Sequence, residues 1–203
     1  MGSLSARRRT VRPVTELPDL RPAARQFAAL LRTIGDDELA LPTPCNDYTV
    51  GALVDHVDKG SRGLATIAGA PLIGPDDTAA PADAAHLGGD WRQEVGEHAM
   101  ALAAAWSDPR AWHGSAPVAP GVDLPTATWG RIALAELVVH GWDLARATGR
   151  PFTLPDDVLQ CCLDHLLAFV PTAPVPDIWG EPIPVPPDAP LSDRVAAAAG
   201  RRP

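Results

Sequence analysis

The chain has 203 residues, enough for one domain with a substantial core. Its formal net charge is -8, which argues against a nucleic-acid-binding surface. No run of about 18 apolar residues is available to span a membrane, and no apolar segment follows Arg7-Arg8-Arg9 to make a secretory leader. The expectation is a cytoplasmic protein with no membrane and no nucleic-acid partner. Cys45, Cys161 and Cys162 have neither zinc-finger spacing nor a plausible disulfide pattern, in keeping with a reducing compartment.

Residues 1 to about 17 read as a polar, flexible lead-in. The spacing of Leu20, Ala24, Phe27, Leu30, Leu31 and Ile34 predicts a first helix from Asp19 to about Ile34. A Pro-punctuated loop from Leu41 to Tyr48 follows, and Asp47 or Thr49 could cap the next helix. That second helix is expected from Val50 to Ala68. Val50, Leu53, Val54, Val57, Leu64 and Ile67 form its inner face, and Asp55, Asp58, Lys59 and Arg62 its outer face. His56 lies at the edge of the inner face.

A third helix is expected from Ala84 to Trp106, ended by Asp108-Pro109. Residues 112–128 read as irregular, with room for a short hairpin. The fourth helix holds Ile132, Leu134, Leu137, Val138, Val139, Trp142 and Leu144, and stops at Gly149. A fifth spans about Pro155 to Val170. Residues 171–190 carry eight prolines and cannot be regular structure. A short last helix is expected over Leu191 to Ala199. The fold class is all-α, a four-helix bundle with an additional C-terminal helix and Pro-rich tail, in one domain over residues 18–203.

The fourth helix is apolar on nearly every side, so it should be buried. Yet Glu136, His140 and Asp143 stand at i, i+4 and i+7, within an arc of roughly 60° at about 100° per residue. Buried charge is paired, neutralised or bound to a metal. A divalent cation held by Glu136, His140 and His56 is one reading; a satisfied hydrogen-bond network is the other. Two histidines and one carboxylate leave open coordination positions, the catalytic arrangement for zinc, and also suit iron or nickel. Glu94 and His98 repeat the i, i+4 spacing on the third helix, in less apolar surroundings.

The segment Pro44-Cys45-x-x-Tyr48-Thr49-Val50-x-x-Leu53-Val54-x-His56-Val57 resembles the N-terminal signature of the DinB-like, mycothiol-dependent maleylpyruvate isomerase-type metal-binding family. Leu137-Val138-Val139-His140-Gly141-Trp142-Asp143-Leu144-Ala145-Arg146-Ala147-Thr148-Gly149 resembles its second signature. The closing Pro186-x-Asp188-Ala189-Pro190-Leu191-x-Asp193-Arg194 and Gly200-Arg201 are similar to the tail of an actinobacterial subgroup. The resemblance implies a DinB-like bundle around one divalent metal, with His56, Glu136 and His140 as ligands. Zn²⁺ is the leading ion, and Ni²⁺ or Fe²⁺ is compatible. It also implies mycothiol as a co-substrate, activated for attack on an electrophilic small molecule in a transferase or isomerase reaction. The chain departs from the pattern in having Tyr48 where a Trp is usual. It also ends before the second domain of the isomerase itself, so that enzyme's substrate is not carried over.

The alternatives are a non-enzymatic metal-binding or sensor protein and a metal-dependent hydrolase without a thiol. A homodimer is compatible with the sequence. Cys45 reads as a buried structural thiol. Cys161 and Cys162 read as core and near-core residues, and His86, His113 and His165 as surface or packing residues. Trp91, Trp106, Trp112 and Trp129 read as core or pocket wall. Arg131 and Arg146 could meet carboxylates of a thiol cofactor.

Overall fold

The structure is a computed structural model that describes residues 17–174 and 180–203. All but the last residue of the expected lead-in lies outside the described residues.

Among the described residues, six α-helices and one hairpin make up the fold. Helix α1 is Arg21–Leu31, shorter than the apolar spacing suggests. Pro22 stands in its first turn, and the Thr33 N–H and hydroxyl both donate to the Leu30 carbonyl, closing the last turn early. Helix α2 is Val50–Ile67, capped by the Thr49 hydroxyl, which accepts from the Ala52 N–H at 3.4 Å. Helix α3 is Trp91–Ala105 and does not begin at Ala84. Gly88-Gly89 is a poor helical pair, and Asp83 caps a separate 3₁₀ turn over Ala84–His86.

Strands β1 (Ser115–Ala119) and β2 (Val122–Pro125) form an antiparallel hairpin in the stretch that had room for one. Helix α4 is Thr126–Thr148 and ends on Gly149, whose φ of 66° suits a residue without a Cβ. Helix α5 is Asp156–Phe169 and α6 is Leu191–Ala198. Between them the described residues form one 3₁₀ turn, Val170–Thr172, and otherwise no regular element.

Helix α1 packs against α3 and α4, and α2 packs against the same two. The four therefore neighbour one another in the cyclic order α1, α3, α2, α4. Phe27, Leu31, Leu53, Leu102, Trp106, Leu134, Leu137 and Leu144 fill the space between them. Helix α5 packs on α4, and α6 packs on α5 and α4.

The outer face expected for α2 is not solvated: Asp55, Lys59 and Arg62 are 4%, 3% and 5% exposed. The loop between α2 and α3 covers them and supplies their partners. Lys59 Nζ donates to Asp55 at 2.9 Å and to the Pro81 carbonyl at 3.0 Å. The Asp83 N–H donates to the same Asp55 oxygen at 2.9 Å. Arg62 donates to Asp58, Asp77 and the Pro75 carbonyl. A buried polar face is stable only when its groups are matched in this way.

Candidate metal centre between two cavities

Helix α4 turns Glu136, His140 and Asp143 to one side, and α2 brings His56 opposite them. Glu136 Oε2 lies 3.1 Å from His56 Nε2 and 3.3 Å from His140 Nε2. The two imidazoles stand edge to face, 5.1 Å between centroids at 85°. Tyr48 stacks on His56 at 5.0 Å. One donor atom from each of His56, Glu136 and His140 lies within 4.8 Å of the others. In a tetrahedral site with bonds of about 2.0–2.1 Å, neighbouring donors stand roughly 3.3 Å apart. The donor set and its spacing therefore fit a divalent cation.

His140 is oriented from behind. Its Nδ1 is 3.0 Å from Asp143 Oδ2, which leaves Nε2 aimed at the cluster. Asp143 is wholly buried and receives Nε and Nη2 of Arg201 at 3.1–3.3 Å. Arg201 Nη1 donates to the Ala199 carbonyl at 2.7 Å. The chain segment after α6 is thus tied to the back of the site by an ion pair. Its path depends on Gly200, at φ 81°, whose missing Cβ would stand 2.6 Å from the Gly180 Cα.

Burial disfavours charge on both Glu136 and His140, but each outweighs it for the other. The His140 charge and the hydrogen bonds from both imidazoles hold the Glu136 carboxyl well below the usual range. Burial pushes the His140 imidazole down, while the charge of Glu136 and the bond to Asp143 raise it to about 9. At neutral pH a proton would therefore compete with any cation for His140, and acid would favour the proton.

The cluster lies where two cavities meet. One, of about 690 Å³, is the more polar of the two, with Cys45, Asn46, Asp47, Tyr48, Glu181 and Arg201 in its wall. The other, of about 230 Å³, is apolar and lies between α2, the hairpin, α4 and the end of α5. His56 and Glu136 belong to both walls.

The other candidates fall elsewhere. His98 Nδ1 is 2.6 Å from Asp58, so it is not paired with Glu94 in a second donor set. His86 Nδ1 is 3.0 Å from both Asp55 and Lys59, a structural role. Arg131 donates to the Ala127 carbonyl and lies over Trp112, and Arg146 lies over Trp142; neither lines the polar cavity. Trp91, Trp106 and Trp112 are core, whereas Trp129 walls the apolar cavity. Cys162 is core. Cys45 is not a fully buried structural thiol: it is half-buried at the polar cavity, with Sγ within 4.8 Å of donor atoms of His140 and Asp143. Burial keeps its thiol above the ordinary range. Sequence reasoning missed Arg201 and Glu181, whose approach is made only by the tertiary fold.

These features define a helical domain with a convergent two-histidine, one-carboxylate cluster at the junction of a polar and an apolar cavity. The family model described as the mycothiol maleylpyruvate isomerase N-terminal domain matches residues 20–145. The chain belongs to that family. Two curated relatives from Mycobacterium tuberculosis, uncharacterized protein MT0763 (strain CDC 1551 / Oshkosh) and uncharacterized protein Rv0738 (strain ATCC 25618 / H37Rv), are each 30% identical over 181 residues. The match covers 86% of this chain and 91% of theirs. Among solved structures, the crystal structure of the mycothiol-dependent maleylpyruvate isomerase superposes with a TM-score of 0.54 at 19% identity. The superposition covers 73% of this chain and 65% of that one, so the shared part is a little under two thirds of the isomerase. A histidine-to-alanine mutant of that enzyme superposes with a TM-score of 0.53.

Proposed function

We propose that this chain is a cytoplasmic, DinB-like four-helix-bundle metalloenzyme. It would bind one divalent cation, Zn²⁺ foremost, through His56, Glu136 and His140, and use a mycothiol-type thiol in an isomerase or transferase reaction on an electrophilic small molecule. The observation that carries this reading is the convergence of three donor atoms from α2 and α4 at the junction of the two cavities. Membership in the mycothiol maleylpyruvate isomerase N-terminal domain family supports the thiol.

A bound cation would supply the Lewis acidity that keeps a thiol sulfur in its thiolate form at neutral pH, where a free thiol near pKa 8.5 is mostly protonated. The chain's own residues do the rest. Asp143 fixes the His140 ring so that Nε2 points to the cluster, and Arg201 fixes Asp143. Tyr48 braces the His56 ring. Asn46, Asp47 and Glu181 give the larger cavity hydrogen-bonding groups for a hydrophilic thiol body. The thiol enters from that side.

The test is calorimetric titration of mycothiol into zinc-loaded and chelator-stripped protein. Binding should be at least about ten-fold tighter with the ion present. Equal affinity in the two samples would contradict the proposal.

A further inference from the structure

The smaller cavity has a composition that the thiol side does not share. Leu64 of α2, Val118 and Leu124 of the hairpin, Trp129 and Ile132 of α4, and Phe169 of α5 supply its walls. Among its described wall residues there is no lysine or arginine; the one carboxylate is Glu136. The Trp129 indole N–H donates to the Ala116 carbonyl at 3.1 Å, so it offers a ligand only its ring. Away from the cluster, beside Leu64, Leu124 and Phe169, a carboxylate would lose its hydration and meet no cationic side chain. An uncharged hydrocarbon-rich molecule would lose only unfavourable contact with water. The volume is not a packing gap between large side chains alone. Gly60 lies in the wall one turn beyond His56 on α2, and a Cβ built there meets nothing within 4 Å.

We propose that this apolar chamber is the electrophile site and that it selects uncharged, hydrocarbon-rich electrophiles over carboxylates. The assignment rests on the thiol-dependent reading, because the thiol occupies the polar cavity and the two reactants meet at His56 and Glu136. In an isomerisation of this kind, the sulfur bonds to one alkene carbon of a conjugated ester as the π pair moves towards the carbonyl. After rotation the pair returns, the S–C bond breaks, and the thiol leaves unconsumed with the trans alkene.

Diethyl maleate and maleate form a matched pair, the same cis alkene with and without charge. The experiment is ligand-observed NMR titration of each into the zinc-loaded full chain without thiol, so that binding is read and not turnover. The ester should bind roughly ten-fold or more tightly than the dianion. Gly60→Leu should fill the chamber and weaken the ester by roughly ten-fold, with metal content and calorimetric mycothiol binding retained. Trp129→Ala, which removes a wall and does not fill the space, should weaken the ester in the same direction. Maleate binding as tightly as the ester, or ester binding unchanged in both variants, would overturn the proposal. Loss of mycothiol binding in the wild type with the ester preference intact would instead overturn the thiol reading and support the chamber's selectivity.

Discussion

Asp143 shows how much one buried side chain can carry. It accepts from His140 Nδ1 on one side and from Arg201 on the other, with none of its surface exposed. Asp143→Asn keeps the shape but removes the charge that pairs with Arg201. Metal affinity should fall about 10- to 100-fold, read by competition with a chromogenic chelator. Unchanged affinity would mean that His140 is oriented by packing alone. His165 is a second informative residue. It is 7% exposed, its Nε2 has no partner among the described residues, and its ring stacks on Phe169 at 5.1 Å. Burial, reinforced by the charge of Arg131, pushes its imidazole down to about 4. Between that value and the ordinary 6.5 the unfolded chain binds the proton and the folded chain does not. The stability is therefore fully present above about pH 6.5 and is lost as pH falls towards 4, by up to roughly 3 kcal/mol. His165→Gln should flatten thermal melting temperature against pH across that window. An unaltered slope would show that His165 is not what titrates. At this scale the sequence was legible where spacing along one helix did the placing, as for Glu136, His140 and Asp143. Arg201 was not, because it reaches Asp143 across 58 residues.

Among the elements, α2 separates what periodicity can reveal from what it cannot. Its apolar positions are buried as the spacing predicts, and His56 reaches the cluster from their edge. Asp55, Lys59 and Arg62 of its charged face are buried too, because a loop folds over them and supplies partners. Periodicity reports polarity, and polarity equals exposure only when nothing covers the face. Lys59, the chain's single lysine, is the test. Its removal leaves Asp55 buried with one cation fewer, although Asp83 and His86 still contact it. Burial alone would push the Asp55 carboxyl up, but its partners hold it below the ordinary range. Lys59→Ala should cost about 3 kcal/mol in chemical denaturation, with metal content unchanged. A cost within about 0.5 kcal/mol, as expected for an exposed residue, would contradict the buried network. Boundaries were less legible than helices. The start of α3 moved from Ala84 to Trp91 because a capped 3₁₀ turn and a Gly pair separate the two segments.

For the whole molecule, the arrangement of α1 to α4 places the cluster between α2 and α4, and the later segments close over it. Helix α6 packs on α4 and α5, and Gly180, Glu181, Gly200 and Arg201 finish the wall of the polar cavity. Those wall residues lie beyond the matched family region, which ends at residue 145. The matched region thus supplies the donor atoms, while the remainder shapes one route to them. The apolar cavity draws its wall from both parts, from α2, the hairpin and α4 on one side and Phe169 on the other. The sequence pointed to the cluster through two local signatures. It did not reveal either cavity, because each is a product of elements far apart in the chain.

The measurement that bears most directly on this account is metal content by elemental analysis. It should be made on protein prepared without a histidine tag or chelator, alongside His140→Ala. The account predicts about one divalent ion per wild-type chain and essentially none in the variant, where two ligands remain. No ion in the wild type even after reconstitution, or a full complement in the variant, would contradict it and leave Glu136, His140 and Asp143 as a buried hydrogen-bond network.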